Sequence, residues 1–189
     1  MTGSPHVVDL TAAALDRYRD AIGAVYSAAF EVDAAEGEQF LSGALDRHCT
    51  YPGFMGRLAL DEAGDVRGFV YGYRSAPGQW WHELVRPSLA RNRQEHWLED
   101  AFEFVELAVH PDAQGRGIGS RLHDDLLHAV PQARALLSAR HGDTPAMRLY
   151  RSRGWVPLVE DFRYFPLGEE VVLMGLDLGE FKRNMPARG

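Results

Sequence analysis

Apolar residues recur at steps of three and four positions near the start of the chain. They are Leu15, Tyr18, Ile22, Val25 and Ala29. This spacing predicts an amphipathic helix with one buried stripe, and Thr11 precedes it as an N-cap residue. A short strand is predicted just before it, at residues 7–10, and a second helix is predicted at residues 36–48.

The rest of the chain alternates between strand-like and helix-like patterns. Residues 55–61 and 66–74 predict a hairpin, because a turn that contains Gly64 separates two apolar runs. Further strands are predicted at residues 102–109, 133–139, 155–159 and 170–177. Helices are predicted at residues 118–130 and from the N-cap Thr144 to the C′ residue Gly154. This order of elements favours a mixed sheet covered by helices, in a single domain of residues 1–189.

Residues 75–100 show no clear periodicity. They carry three of the four tryptophans, namely Trp80, Trp81 and Trp97, together with Pro77, Gly78 and Pro87. We predict that this segment is a long, partly helical insertion.

The composition excludes several classes of protein. The net charge is −7, from 20 basic and 27 acidic residues, and no basic stripe is present, so a nucleic-acid partner is not expected. Lys182 is the only lysine, and its position excludes a Walker phosphate loop. A pyridoxal enzyme would have to form its Schiff base with this same residue. Cys49 is the only cysteine, so an intramolecular disulfide and a cysteine zinc cluster are also excluded.

Membrane and metal partners are not expected either. No window approaches 18 uninterrupted apolar residues, and residues 1–5 form neither a basic nor an apolar segment. We therefore expect a cytoplasmic protein. The eight histidines form no convincing ligand set, since His123 and His128 are five positions apart and lie on different sides of a helix.

The most informative motif is a glycine-rich turn between a predicted strand and a predicted helix. It reads Gln114-Gly115-Arg116-Gly117-Ile118-Gly119-Ser120. Glycines let the main chain adopt positive φ and let a ligand approach closely, and a helix N-terminus attracts anions. A diphosphate site is favoured over a merely flexible turn. A dinucleotide fingerprint does not fit, because no frame of the run gives Gly-x-Gly-x-x-Gly.

The motif resembles the phosphate loop of the GNAT superfamily of acetyl-CoA-dependent N-acyltransferases, which reads Gln/Arg-x-x-Gly-x-Gly/Ala. The preceding run Glu106-Leu107-Ala108-Val109-His110-Pro111 is similar to the fourth strand of that family, and residues 143–155 resemble a second family signature with a Leu149-Tyr150 pair and Gly154-Trp155. The resemblance implies an α/β (α+β) fold. In it, a mixed and mostly antiparallel sheet of six to seven strands splays between strands 4 and 5 and carries helices on both faces.

The resemblance also implies direct transfer of an acetyl group from acetyl-CoA to a primary amine, through a tetrahedral intermediate. The main-chain amides of the loop would hold the pyrophosphate, and pantetheine would pair with the fourth strand. The residues so implied in cofactor binding are Leu107, Val109, Gln114, Gly115, Arg116, Gly117, Ile118, Gly119, Ser120, Asp143 and Tyr150. Asp143 departs from the family, which often has Asn there, and a carboxylate cannot donate to pantetheine.

Three residues are candidates for proton transfer. Tyr150 matches the family tyrosine that protonates the leaving sulfur, and a phenol remains a proton donor at neutral pH. Glu103 is favoured as the base, directly or through water, and Glu106 is the other carboxylate on this strand. A spacing of three places the two glutamates on opposite faces of a regular strand, unless a bulge shifts the register.

The acceptor is the least determined part of the prediction. The family places the acceptor among regions that here supply Phe30, Trp80, Trp81 and Tyr164, and we expect a small-molecule amine that is apolar, aromatic or a polyamine. The alternative is that the tryptophans only attach the insertion to the body of the protein. Two other functions stay open, a non-catalytic acyl-CoA sensor and acetylation of a protein N-terminus or lysine. A homodimer is also left open.

Overall fold

The computed structural model describes residues 5–166 and 168–186, so the N-terminal residues 1–4, on which part of the localisation argument rests, lie outside it. The chain forms two compact units. The first holds the described residues up to Tyr73 together with Val105–Val130, and the second holds Arg74–Phe104 together with the described residues from Pro131 onward. The single domain expected from the sequence stays a prediction.

Within the described residues, seven strands form a sheet in the order β1-β2-β3-β4-β5-β7-β6. β4 (Ala101–Val109) pairs with β5 (Arg134–Arg140) in parallel, with Ala101, Phe102 and Glu103 in register with Arg134, Ala135 and Leu136. The pairings of β1 with β2, β2 with β3, β5 with β7 and β6 with β7 are antiparallel. The predicted mixed, mostly antiparallel sheet is therefore confirmed, and the short parallel pairing agrees with strands that splay beyond Glu103.

The first unit begins with β1 (His6–Asp9) and α1 (Ala12–Phe30), and it continues with the hairpin of β2 (Met55–Leu60) and β3 (Val66–Arg74). The predicted N-cap is confirmed, since the Thr11 hydroxyl accepts from the Ala14 N–H at 3.1 Å. α5 (Ile118–Ala129) follows a 3₁₀ turn at Pro111–Ala113. The core of this unit includes Ile22, Leu45, Leu58, Phe69 and Tyr71, all of which are buried.

The helical segment predicted at residues 36–48 is longer and less regular than the sequence suggested. It consists of α2 (Ala34–Gln39), a π-helical stretch at Phe40–Leu45 and α3 (Asp46–Cys49). It begins earlier because Asp33 forms a capping box, in which its carboxylate accepts from the Glu36 N–H and the Glu36 carboxylate accepts from the Asp33 N–H. A π-helical stretch has no clear periodic signature and was not predicted.

The second unit contains α4 (Trp80–Arg91), a 3₁₀ helix at Glu95–Leu98, β5, α6 (Pro145–Ser152), β6 (Val156–Arg163) and β7 (Glu170–Asp177). The prediction that residues 75–100 are partly helical is therefore confirmed. The strand predicted at residues 155–159 is wrong in length, because β6 runs four residues further and pairs with β7 up to Arg163–Glu170. A final helix, α7 (Leu178–Asn184), was missed, although Asp177 caps it by accepting from the Glu180 N–H at 2.8 Å.

Side chains of α4 and the 3₁₀ helix pack against the strands of this unit. Trp81, Val85 and Leu89 join a buried cluster with Leu136, Phe162 and Leu173. Trp97 lies so close to β7 that a Cβ placed on Gly175 would be 2.7 Å from its ring. Within the described residues, no helix is long and apolar enough to cross a membrane.

Candidate functional site

The glycine-rich turn of the first unit forms an open concave stretch of main chain. Gly115 and Gly117 have φ angles of 73° and 79°, in the left-handed region that favours glycine. A Cβ added to either residue would meet no described atom within 4 Å. Gly117 is the N-cap residue of α5, and the buried Ile118 anchors the first turn of that helix. The turn therefore presents main-chain amides to an open space at the positive end of a twelve-residue helix.

Hydrogen bonds fix the end of β4 from which this turn departs. The Gln114 side-chain amide donates to the Val109 carbonyl at 3.0 Å, and the His110 N–H donates to the Arg67 carbonyl on β3 at 2.9 Å. The Asp112 N–H donates to Nδ1 of His110 at 3.3 Å. Gln114 thus ties the turn to the strand through its side chain, and His110 helps to hold the end of the strand in place.

The turn has the chemistry that the diphosphate of acetyl-CoA requires. Residues 114–117 are exposed, and the space beside the two left-handed glycines would be filled by any side chain. Binding here relies on amide N–H groups and the helix dipole, with Arg116 as the nearest cation in sequence. The residues present therefore fit an anionic co-substrate held through the main chain.

Glu106 lies on β4 next to Leu107 and is half-buried. Removal from water raises the pKa of its carboxyl to about 8, while a hydrogen bond from the Leu107 N–H acts in the opposite direction. The Tyr26 phenol has a raised pKa, first because it is buried and then because of the negative charges of Glu106 and Glu36. The charge of Glu106 therefore acts on the Tyr26 phenol of α1, and its carboxyl keeps a proton to a higher pH than an exposed carboxyl does.

Tyr26 belongs to an aromatic group in the first unit. The ring of Tyr26 stacks on Phe40, with centroids 4.0 Å apart and planes 2° from parallel, and it lies 4.8 Å from the ring of Phe30. Tyr26 was missed in the sequence. Its spacing of four residues from Phe30 on α1 was the signal that could have found it.

The facing of β4 departs from simple alternation. Val105 and Ala108 both pack against the core of the first unit, although a spacing of three would separate them in a regular strand. A β-bulge produces such a pattern. The expectation that Glu103 and Glu106 lie on opposite faces of a regular strand stays a prediction. Glu103 itself belongs to the second unit, where it is 4% exposed and its registered partner is Leu136.

Tyr150 lies on α6 in the second unit and is 8% exposed. Its ring meets Phe104 edge-on with centroids 6.2 Å apart, and it lies 5.8 Å from the ring of Trp155. The N-cap Thr144, which accepts from the Met147 N–H, fixes the start of this helix. The phenol is thus held in a defined position by the packing of its ring.

Asp143 precedes α6, and its carboxylate is engaged within the chain. The Arg148 guanidinium donates to it at 3.0 Å and also donates to the main-chain carbonyl of Asp143 at 2.6 Å. Both side chains are mostly exposed. A contact between this carboxylate and pantetheine would have to coexist with the arginine.

Three of the four predicted acceptor-binding residues come together in the second unit. Trp80 stacks on Tyr164, and the Trp81 indole N–H donates to the Tyr164 hydroxyl at 3.3 Å. The same hydroxyl forms a hydrogen bond with the Ser138 hydroxyl on β5. Phe30 belongs to the first unit, with Tyr26 and Glu106. The role of Ser138 as a partner of Tyr164 was not predicted and has no sequence signal.

The remaining predicted site residues are also distributed over the two units. Leu107, Val109 and residues 114–120 lie in the first unit, whereas Glu103, Asp143 and Tyr150 lie in the second. Across residues 5–166 and 168–186, no group of three or more His, Cys, Asp or Glu side chains is arranged to hold a metal ion.

Comparison with known proteins identifies relatives at the level of sequence. A GCN5-like protein acetyltransferase from Mycobacterium tuberculosis (strain ATCC 25618 / H37Rv) is 35% identical over 105 residues, which are 51% of this chain and 51% of that protein. The chain thus matches about half the length of this curated relative.

Solved structures share the fold at low sequence identity. One is a Salmonella typhimurium protein described as an acetyltransferase and solved with its cofactor acetyl-CoA. It is 16% identical, with a TM-score of 0.62, over 93% of this chain and 95% of that chain. Another is the ribosomal-protein-S18-alanine N-acetyltransferase of Escherichia coli, which is 17% identical with a TM-score of 0.61, over 92% and 93% of the two chains.

The sequence model described as an acetyltransferase (GNAT) domain matches residues 58–157, which include β4, the glycine-rich turn and α6. This match covers more than half of the chain. The chain therefore belongs to the GNAT acetyltransferase family.

Proposed function

We propose that this protein is an N-acetyltransferase that moves the acetyl group of acetyl-CoA to a primary amine. The observation that carries the proposal is the turn at Gly115 and Gly117, where two left-handed glycines border open space at the start of α5. The turn lies inside the segment that matches the family. An amide-lined site of this kind suits a diphosphate and needs no lysine.

Acetyl-CoA supplies the activated acetyl group as a thioester. Gly115 to Ser120 would hold its diphosphate, and the main chain near Leu107 and Val109 would pair with its pantetheine arm. Gln114 supports both parts, because its side chain joins the turn to the Val109 carbonyl.

The acceptor nitrogen must lose a proton, and the leaving sulfur must gain one. We assign the first task to Glu106, because a carboxyl whose pKa lies about 8 can exchange a proton with an amine near neutral pH. Glu103 is the alternative base. Tyr150 is assigned as the proton donor to sulfur, since an un-ionised phenol is available at neutral pH. The C–N bond would form first, giving a tetrahedral intermediate, and the C–S bond would break as that intermediate collapses, so that no acyl-enzyme is required.

The acceptor that we propose is a small-molecule primary amine. The exposed aromatic side chain of Trp80 supplies an apolar surface for such a molecule. A protein acceptor is the second candidate, because the curated relative at 35% identity is named a protein acetyltransferase.

Release of CoA thiol tests the proposal. Purified protein is given acetyl-CoA with panels of aminoglycosides, polyamines, arylalkylamines, amino acids and peptides. We expect thiol release with at least one amine and none without an acceptor. Gly117→Glu should abolish both this release and acetyl-CoA binding measured by calorimetry, because its side chain would enter the diphosphate space. Binding without release on any panel would instead indicate a sensor, and release only with peptides would favour the second candidate.

A further inference from the structure

An exposed aromatic surface in the second unit has a defined and unusual arrangement. The rings of Trp80 and Tyr164 are 7° from parallel, with centroids 6.1 Å apart, and Trp80 remains 55% exposed. We call this pair the aromatic platform. The next residue, Phe165, is 66% exposed. Exposed aromatic side chains that cluster in this way are typical of a binding surface, whereas isolated ones need no explanation.

The platform is held in place by buried neighbours. The Tyr164 hydroxyl accepts from the Trp81 indole N–H at 3.3 Å and shares a hydrogen bond with Ser138. Trp81 is only 6% exposed, and the edge of Phe162 meets the Tyr164 ring with centroids 5.4 Å apart. Helix α4, β5 and β6 each contribute to this support. A surface so fixed before binding loses little entropy when a ligand lies on it.

The chemistry of the platform favours a flat, apolar group. Its surface consists of indole and phenol rings, which gain from offset stacking with another ring beyond the gain from burial alone. An ammonium group also attracts an aromatic face, but this attraction is weak where the face is exposed to water. A ring on the acceptor therefore gains more on Trp80 than a hydrated polyamine chain does.

We propose that the aromatic platform binds the planar ring of the acceptor, so that the preferred acceptors are arylalkylamines. In this proposal Trp80 and Tyr164 touch the substrate, and Trp81 and Ser138 are positioning residues that orient the Tyr164 ring. The inference rests on the proposed N-acetyltransferase function and names its substrate class. It also gives α4, which carries Trp80 and Trp81, a role in specificity.

A matched pair of amines tests the inference directly. 2-Phenylethylamine and 2-cyclohexylethylamine have the same chain and similar size, but only the first has a planar ring. We expect wild-type kcat/KM to be about three- to tenfold higher for the aryl amine, the range that aromatic stacking supplies, with the difference mainly in KM. Spermidine should be a poorer acceptor than the aryl amine.

Substitutions test whether the preference for the aryl amine depends on the aromatic platform. Trp80→Ala should bring the ratio of the two kcat/KM values close to one, whereas Val156→Ala, which removes another exposed apolar side chain of the same unit, should leave the ratio intact. Tyr164→Phe and Trp81→Phe keep a ring but remove one hydrogen bond or more, and they should reduce the ratio partially. General damage to the fold would lower both rates together and would not change the ratio.

The outcomes separate the two proposals. Equal kcat/KM for the two amines in the wild type, a preference for spermidine, or a ratio insensitive to Trp80→Ala would overturn the platform proposal while leaving acetyl transfer intact. If acetyl-CoA binds but none of these amines, and none of the wider panel, releases thiol, the proposed transferase function fails and the platform proposal fails with it.

Discussion

At the scale of single residues, Glu106 links stability to catalysis with opposite signs. Its carboxyl has a pKa of about 8 in the folded chain against an ordinary value of 4.5, so the folded state holds this proton more tightly than the unfolded state does. The stabilisation is complete below pH 4.5, declines as the pH rises, and is lost above about pH 8. A general base, in contrast, becomes active only when the proton has left.

We therefore predict that Glu106→Gln lowers turnover at least tenfold and raises the melting temperature at pH 8–9 relative to the wild type. The neutral amide resembles the protonated carboxyl, which explains both effects. A pH series of kcat/KM and of thermal unfolding measures them, and the inflection near pH 8 should disappear in the variant. Glu103→Gln is the matched comparison. Loss of the inflection in Glu103→Gln but not in Glu106→Gln would transfer the role of base to Glu103.

Tyr150 is a residue whose ring and hydroxyl can be separated experimentally. The ring packs against Phe104 and Trp155, and these contacts survive in phenylalanine. We predict that Tyr150→Phe lowers turnover at least tenfold while acetyl-CoA affinity, measured by calorimetry, stays within a factor of about two to three, because general acid catalysis contributes on the order of a hundredfold or more. Unchanged turnover would remove the hydroxyl from the mechanism and leave Tyr150 as a packing residue.

At the scale of elements, the glycines of the glycine-rich turn and of the start of α5 differ in backbone conformation. Gly117 has a φ of 79°, whereas Gly119 lies inside α5, and a Cβ there would meet Val109 at an ordinary 3.7 Å. We predict that Gly119→Ala keeps acetyl-CoA affinity and stability near the wild type. Gly117→Ala should cost about 1–2 kcal/mol of stability, because L-residues are strained in the left-handed region, and should weaken acetyl-CoA binding at least fivefold. Chemical denaturation and calorimetry on both variants measure this difference.

Equal losses in the two alanine variants would contradict this assignment. They would mean that the diphosphate site depends on the bulk of the turn rather than on the left-handed geometry at Gly117. The small residue at position 119 would then need another explanation, since the structure gives it room for a methyl group.

The elements that could be predicted are those with a strong local signal. The Thr11 and Thr144 caps, the Gly64 turn and the helix α5 could all be predicted, because each depends on residues within a few positions. The π-helical stretch at Phe40–Leu45 and the full length of β6 could not be predicted from the sequence. The first has no period of its own, and the second depends on pairing with β7, which no local pattern records.

In the candidate site, too, features with a local sequence signal could be predicted and features that depend on tertiary packing could not. The geometry of the glycine-rich turn could be predicted because its positive φ angles favour glycine, whereas its binding of a diphosphate stays a proposal. The raised pKa of Glu106, its electrostatic effect on Tyr26 and the contact between Ser138 and Tyr164 all depend on tertiary packing, so the sequence offered only candidates. The structure places the tryptophans differently, and an acceptor-binding role of Trp80 stays a prediction. Trp97 lies tightly against Gly175 and attaches its segment, whereas Trp80 remains exposed on Tyr164.

At the scale of the whole molecule, binding of acetyl-CoA should stabilise the folded chain by mass action. A ligand at one hundred times its Kd adds about 2.7 kcal/mol if it binds only the native state. For a chain of 189 residues, each kcal/mol raises the melting temperature by roughly 2–4 °C. We therefore predict a rise of roughly 5–10 °C with saturating acetyl-CoA, measured by scanning calorimetry. CoA should give a comparable rise, since it retains the diphosphate, whereas pantetheine should give much less.

Gly117→Glu provides the control for this shift. It blocks the diphosphate space and leaves the residues Tyr150, Trp80 and Tyr164 unchanged in the sequence. Its melting temperature should not respond to acetyl-CoA at concentrations that saturate the wild type. A full shift in this variant, or an equal shift with pantetheine, would place the main binding energy away from the turn. The stabilisation would then come from the pantetheine arm, and the amides of residues 115–120 would lose their assigned role.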